Sequence, residues 1–155
     1  MGKGKPRTRV KPDAGGGALA PKVLARNVPA RGADNPTFSF HHADRAHDGS
    51  WSWPRGEGAG ELLDFLCNTG RRTWGEIRAD TTGGRNRHRK HHEMGFDAVS
   101  LEAQKRLTDL HLDEIFEELF RFRVGGKKRL WGFEVDGVFH VLWWDAEHQV
   151  YPTEA

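Results

Sequence analysis

The chain is short of several residue types that would narrow its chemistry. Cys67 is the single cysteine in 155 residues, which excludes an intrachain disulfide and gives no support to an oxidising compartment. No apolar run approaches the roughly 18 residues that a membrane span requires. The weak apolar segment GALAPKVLA is broken by Pro21 and Lys22, so no signal peptide and no membrane association are expected. The expectation is a cytoplasmic protein. There is no internal repeat.

Aromatic residues are missing from residues 1–31, which hold eight Lys or Arg against one acid, Asp13, among scattered Gly and Pro. Such a segment cannot bury enough apolar surface to offset the entropy of ordering it. We therefore expect a disordered basic tail over 1–35, followed by a single α+β domain over 36–155. Removing the +7 of residues 1–31 from the chain's net +2 leaves −5 for the rest. The basic character of the chain thus belongs to its tail, and any nucleic-acid argument about the domain must rest on local clusters.

What is present is a set of clear element signals. TFSFHHAD (37–44) alternates Phe38 and Phe40 with polar residues, as a short first strand would. ELLDFLCNTG sets Leu62, Phe65 and Leu66 at helical spacing and stops at Gly70. Thr73 followed by Glu76 is the pattern of a capping box opening a second, short helix. Residues 80–95 lack periodicity and read as an exposed loop, opening an irregular or helical insert over 80–118. Within it, Ser100 is suited to cap a helix with Leu101, Leu107 and Leu110, and LDEIFEEL offers a further helical stripe of Leu112, Ile115, Phe116 and Leu119. LFRFRV, RLWGFEV and VFHVLWW, separated by Gly-Gly and Asp-Gly turns, then predict a three-stranded antiparallel meander packed on the helix pair. Its last strand, apolar on both sides, should be covered on both faces and could pair with the first strand.

Three groups of residues could carry chemistry. The first lies on the meander: Arg121 and Arg123 leave one strand on a common face, Lys127, Lys128 and Arg129 cluster at the turn, and His140, His148 and Tyr151 lie on or after the last strand. Cleavage of RNA without a metal needs a base for the 2′-hydroxyl, cations for the phosphorane and an acid for the leaving 5′-oxygen, and His, Arg or Lys, and Tyr can supply all three. Against this, alternating Arg usually marks a solvated face, and His140 in an apolar strand reads as core. Asp145 is placed to brace the turn that carries His148 and Tyr151.

The second group is HRKHHE, with His88, His91, His92 and Glu93 preceded by His41, His42 and His47. These imidazoles could ligate a metal, but no zinc-like spacing is present, and a basic exposed loop in which Arg85, Arg87, Arg89 and Lys90 contact phosphates is the plainer reading. The third group is aromatic. Trp131, Trp143 and Trp144 fall in strand patterns and read as core, whereas Trp51 and Trp53, in a Gly-rich turn, are the better candidates for an exposed platform or a partner contact.

The segment FRFRVGGKKRLWGFEVDGVFHVLWWDAEHQVY (120–151), with FSF at 38–40 and the helix pair after it, resembles the RelE/ParE toxin superfamily of small bacterial toxin–antitoxin proteins, built as β-α-α-β-β-β. The resemblance implies an mRNA endonuclease that uses no metal or cofactor, acts on RNA, usually ribosome-bound mRNA, and is neutralised by an antitoxin protein. By that likeness Arg121, Arg123 and Arg129 would stabilise phosphate charge, and His148 or Tyr151 would act as acid or base. The alternative is a non-catalytic nucleic-acid or ribosome-associated module that grips phosphates through its basic tail and its His/Arg loop.

Overall fold

Asp136 and Gly137 both adopt positive φ, 51° and 84°, the type I′ geometry whose twist matches that of two flanking strands. They join strands Lys128–Val135 and Val138–Asp145, while a turn at Gly126 (φ 56°) joins Glu118–Gly125 to the first of these. The expected meander is therefore present. The computed structural model describes residues 29–85 and 87–152. We label the strands β1 (Thr37–Ser39), β2 (His92–Gly95), β3 (Glu118–Gly125), β4 (Lys128–Val135) and β5 (Val138–Asp145), and the helices α1 (Glu57–Thr69), α2 (Trp74–Ala79) and α3 (Leu101–Asp109).

The five strands form one sheet in the order β1-β5-β4-β3-β2, so the protein is a mixed α+β fold. As expected, β1 pairs with the free edge of β5, in parallel, with Phe38 opposite Phe139. At the other edge β2 runs antiparallel to β3. A bulge interrupts β4 and β5 between Trp131 and Gly132, which turns both Leu142 and Trp143 into one core. Gly132 sits at this bulge, where no room is left for a side chain. A Cβ there would lie 2.1 Å from the His140 carbonyl oxygen and 2.6 Å from Phe139 Cζ.

Both faces of the sheet are covered. On one, Leu62 and Leu66 of α1 and Trp74 and Ile77 of α2 pack on Phe120, Phe122, Leu130, Phe139, Val141 and Trp144. The capping box anticipated for α2 is formed: Thr73 Oγ1 accepts from Glu76 N at 3.2 Å, and Thr73 N donates to Glu76 Oε1 at 2.8 Å. On the other face, Ala103 and Leu107 of α3, with Val99, Leu112 and Phe116, cover Trp131, Phe133, Leu142 and Trp143. Ser100 caps α3 through Ala103 N at 3.2 Å.

Several expectations need correction. The segment 80–118, expected to be irregular or helical, also holds a strand and supplies the sheet edge and the second layer. Residues 92–95 form β2 rather than loop, because Glu93 reaches Arg78 at 2.7 Å and His92 reaches Arg121, so polar residues there find partners instead of solvent. LDEIFEEL is not a helix: only Leu112–Glu114 form a 3₁₀ turn, Phe116 stacks on Phe133 at 4.0 Å, and Leu119 already belongs to β3. Leu101 is exposed, since the buried stripe of α3 runs through Ala103 and Leu107. Trp51 is buried against Trp143, with ring centroids 5.0 Å apart, and offers no exposed platform. Residues 1–28 of the expected tail lie outside the described residues. Its remainder docks on α2, where Gly75 N donates to Gly32 O at 2.9 Å and Trp74 N to Asp34 O at 2.8 Å.

Candidate functional site

Directly opposed residues of an antiparallel sheet share a face. His92, Arg121, Trp131 and Trp143 therefore form one row across four strands, and Arg123, Arg129 and Asp145 form the next, on the face that α3 covers. The helix covers the Trp end of this face. Over the arginine end lies the chain after β5.

Two anchors fold that segment back. The Asp145 carboxylate, fully buried, accepts from Gln149 N and Val150 N, both at 2.8 Å. Val150 is buried in the core and its carbonyl accepts from Ser100 N at 2.8 Å. Asp145 thus holds the turn that carries His148. Between these anchors His148 adopts φ 61°, in the left-handed region that costs a residue with a Cβ about 1 kcal/mol. Its ring lies 6.4 Å from that of Tyr151.

The arginines under this turn differ from others in the molecule. Arg72 binds Asp80 through two contacts of 2.7 Å, Arg106 binds Asp44 at 2.8 and 2.7 Å, and Arg78 bridges Glu93 and Glu134. Arg121, Arg123 and Arg129 have no carboxylate partner among the described residues, although Arg121 and Arg129 are buried. Arg121 Nη2 donates to His92 Nε2 at 3.0 Å, and His92 Nδ1 donates to Glu93 O at 3.1 Å, so His92 sits here as a neutral acceptor. Arg129 Nη1 donates to the carbonyls of Gly126 and Lys128. The Nε–H groups of both arginines and Nδ1 of His148 are buried with no hydrogen-bond partner among the described residues.

The electrostatics follow from that arrangement. Burial, and then the Arg121 and Arg123 charges, lower Arg129 to about 10, and burial with the Arg123 charge lowers Arg121. Both remain cationic at neutral pH, so three positive charges are concentrated around the single carboxylate of Asp145, which makes no ion pair with them among the described residues. Burial and the Arg129 cation also depress His148 below the ordinary imidazole value, which leaves it an unprotonated base at neutral pH. Asp145, the one acid in these rows, already accepts from two backbone N–H groups, so three guanidinium groups and unpartnered donors are left to receive an anion.

Not every expected residue joins this group. Lys128 pairs with Glu61 of α1, and Lys127 lies 3.9 Å from Glu147, so both are drawn toward carboxylates instead. Arg85, Arg87 and Arg89 are exposed, and Lys90 is partly exposed beside Arg123. His140 is half-buried beside Phe116 and His42, away from the arginines. The HRKHHE imidazoles separate: His88 is exposed, His92 serves Arg121, and His91 is buried. Among the described residues no group of three or more His, Cys, Asp or Glu is arranged to hold a metal ion. No helix among them is long and apolar enough to cross a membrane.

Sequence reading missed two residues that support the site. His91 Nδ1 accepts from the Arg123 backbone N–H at 3.0 Å, and its Nε2 faces Asp80 at 3.3 Å. His92 supports Arg121 as described. The strand they introduce sets His92 and Met94 on one side, a period-two signal obscured because only one of that pair is apolar. Comparison with protein-family models, with curated proteins and with solved structures returns no match.

Proposed function

We propose that the protein is a metal-independent endoribonuclease of RelE-like type, and that Arg121, Arg123, Arg129, His148 and Tyr151 form its active site. The observation that carries this reading is the convergence of three arginines lacking a carboxylate beneath a strained histidine. The element order, a strand and helix pair ahead of an Arg-bearing meander, supports the RelE-like assignment, with β2 and α3 added between the helix pair and the meander. An antitoxin protein that covers the arginines is the partner such a protein requires.

The chemistry is balanced within the site. The 2′-oxygen of the substrate attacks the adjacent phosphorus while His148, neutral at working pH, takes the hydroxyl proton. Arg121, Arg123 and Arg129 hold the charge that grows on the non-bridging oxygens of the phosphorane. The P–O5′ bond breaks as the Tyr151 phenol protonates the leaving oxygen. The products are a 2′,3′-cyclic phosphate and a 5′-hydroxyl end.

The test uses the full chain, a single-stranded RNA and the same strand as DNA, with a chelator present. Cyclic-phosphate ends from RNA, intact DNA, and loss of cleavage in folded R121A/R123A protein are expected, with growth arrest on expression of the wild type. Intact RNA, or cleavage abolished by chelator, overturns the proposal. Salt-dependent binding without turnover would instead favour a nucleic-acid-binding module, which the exposed Arg85, Arg87 and Arg89 could serve.

A further inference from the structure

Beside the arginine rows, beyond the end of β2, the edge of β3 is met by a loop rather than a strand. The two sides of this loop pair as a small hairpin: Thr81 bridges Arg89, and Thr82 N donates to His88 O at 2.8 Å. Lys90 N donates to Asp80 O at 2.9 Å, which fixes where the lysine leaves the loop. Between this hairpin and β3 lies a depression of about 280 Å³ lined by Thr81, Thr82, Gly83, Lys90, Arg123 and Gly125.

Its chemistry is that of a phosphate cradle. Lys90 and Arg123 supply two cations, and no acid lines the depression. Asp80, the nearby carboxylate, is already bound by Arg72 and His91. Thr82 Oγ1 accepts from His88 N at 3.2 Å, which leaves its hydroxyl hydrogen free to donate. Gly83 and Gly125 do not adopt positive φ, and a Cβ at either would meet nothing within 4 Å. Backbone conformation and packing therefore give no reason for glycine there, whereas a side chain would occupy the depression.

Arg123 belongs both to this depression and to the row that contains Arg129. We propose that the depression is a second phosphate subsite, taking the phosphodiester next to the one held by Arg121 and Arg129, so that the ligand is a polynucleotide strand rather than a single nucleotide. The inference rests on the ribonuclease reading for its first subsite, and the strand's course over the Thr81–Gly84 hairpin deepens that reading.

The experiment compares a dinucleoside monophosphate, which has one phosphate, with a longer single-stranded RNA carrying the same cleavage site. Wild-type protein should show a higher kcat/KM on the longer strand. Lys90→Ala and, independently, Gly83→Val should remove about tenfold of that gain while leaving the dinucleoside rate unchanged. Binding of a 2′-deoxy strand, read by fluorescence anisotropy, should lose about 0.7 from its slope of log affinity against log salt in Lys90→Ala. Equal effects on both substrates, or none on the longer one, would overturn the subsite. If wild-type protein cleaves neither RNA but the salt slope still falls in Lys90→Ala, the ribonuclease reading fails and the subsite stands. Melting curves of both variants identify loss of fold.

Discussion

The buried imidazole of His91 accepts the backbone N–H of Arg123 at 3.0 Å. This bond completes the β3 edge where β2 has ended, and it holds the backbone from which Arg123 projects. Only a neutral ring can accept at Nδ1 while donating at Nε2 toward Asp80.

Burial lowers His91 from 6.5 to about 4, against the pull of Asp80. The unfolded chain therefore binds a proton that the fold refuses, and stability falls as pH drops from 6.5 to 4, by about 3 kcal/mol in total. Asp44 and Asp80, whose carboxylates are held below the usual range, lose their contribution only at more acidic pH. Urea denaturation across pH 4–7 should show this loss, with a shallower slope in His91→Leu. Identical slopes for the two proteins would contradict the assignment.

Asp145 carries two backbone N–H groups in a fully buried setting. Asp145→Ala should cost about 3 kcal/mol and release the turn that holds His148 and Tyr151. Cleavage should fall further than the unfolded fraction accounts for. A variant of full stability and full activity would show that the brace is dispensable.

His148 offers an unusual separation of stability from activity. Because its φ is 61°, His148→Gly relieves about 1 kcal/mol of backbone strain, so the denaturation midpoint should hold or rise. Cleavage should fall about 100-fold or more with the base removed. A midpoint that drops sharply would mean that the ring is structural.

Gly132→Ala places a methyl group against the His140 carbonyl and the Phe139 ring at the bulge. Overpacking of this kind should destabilise by about 2 kcal/mol or more. A change below about 0.5 kcal/mol would show that the bulge can relax.

Much of the fold was legible because local rules and tertiary packing agree. The Asp136-Gly137 turn, the Thr73–Glu76 box and the Ser100 cap each satisfy backbone groups within a few residues, so spacing alone identified them. LDEIFEEL failed for the opposite reason: its apolar spacing suits a helix, but Leu119 is claimed by the sheet and Phe116 by Phe133, contacts invisible to periodicity. The exposed platform assigned to Trp51 failed likewise, since Trp143 lies 92 positions away along the chain. At the site, His148, Tyr151 and the arginines were named from their types, and Asp145 from its place. Their convergence depended on Val150 being anchored in the core. The stretch at 91–94 carries no local sign that one imidazole will be buried and the next will accept from a guanidinium.

One carboxylate links distant parts of the chain. Asp44 Oδ2 accepts both Arg106 Nε and, across 99 positions, Trp143 Nε1, while its own N–H donates to Leu142 O. During synthesis none of these partners exists when Asp44 emerges, and α1 and α2 have no sheet to cover. The molecule must therefore mature as a unit once β5 is free of the ribosomal tunnel, and ribosome-bound chains that end before β5 carry neither a closed core nor a completed site.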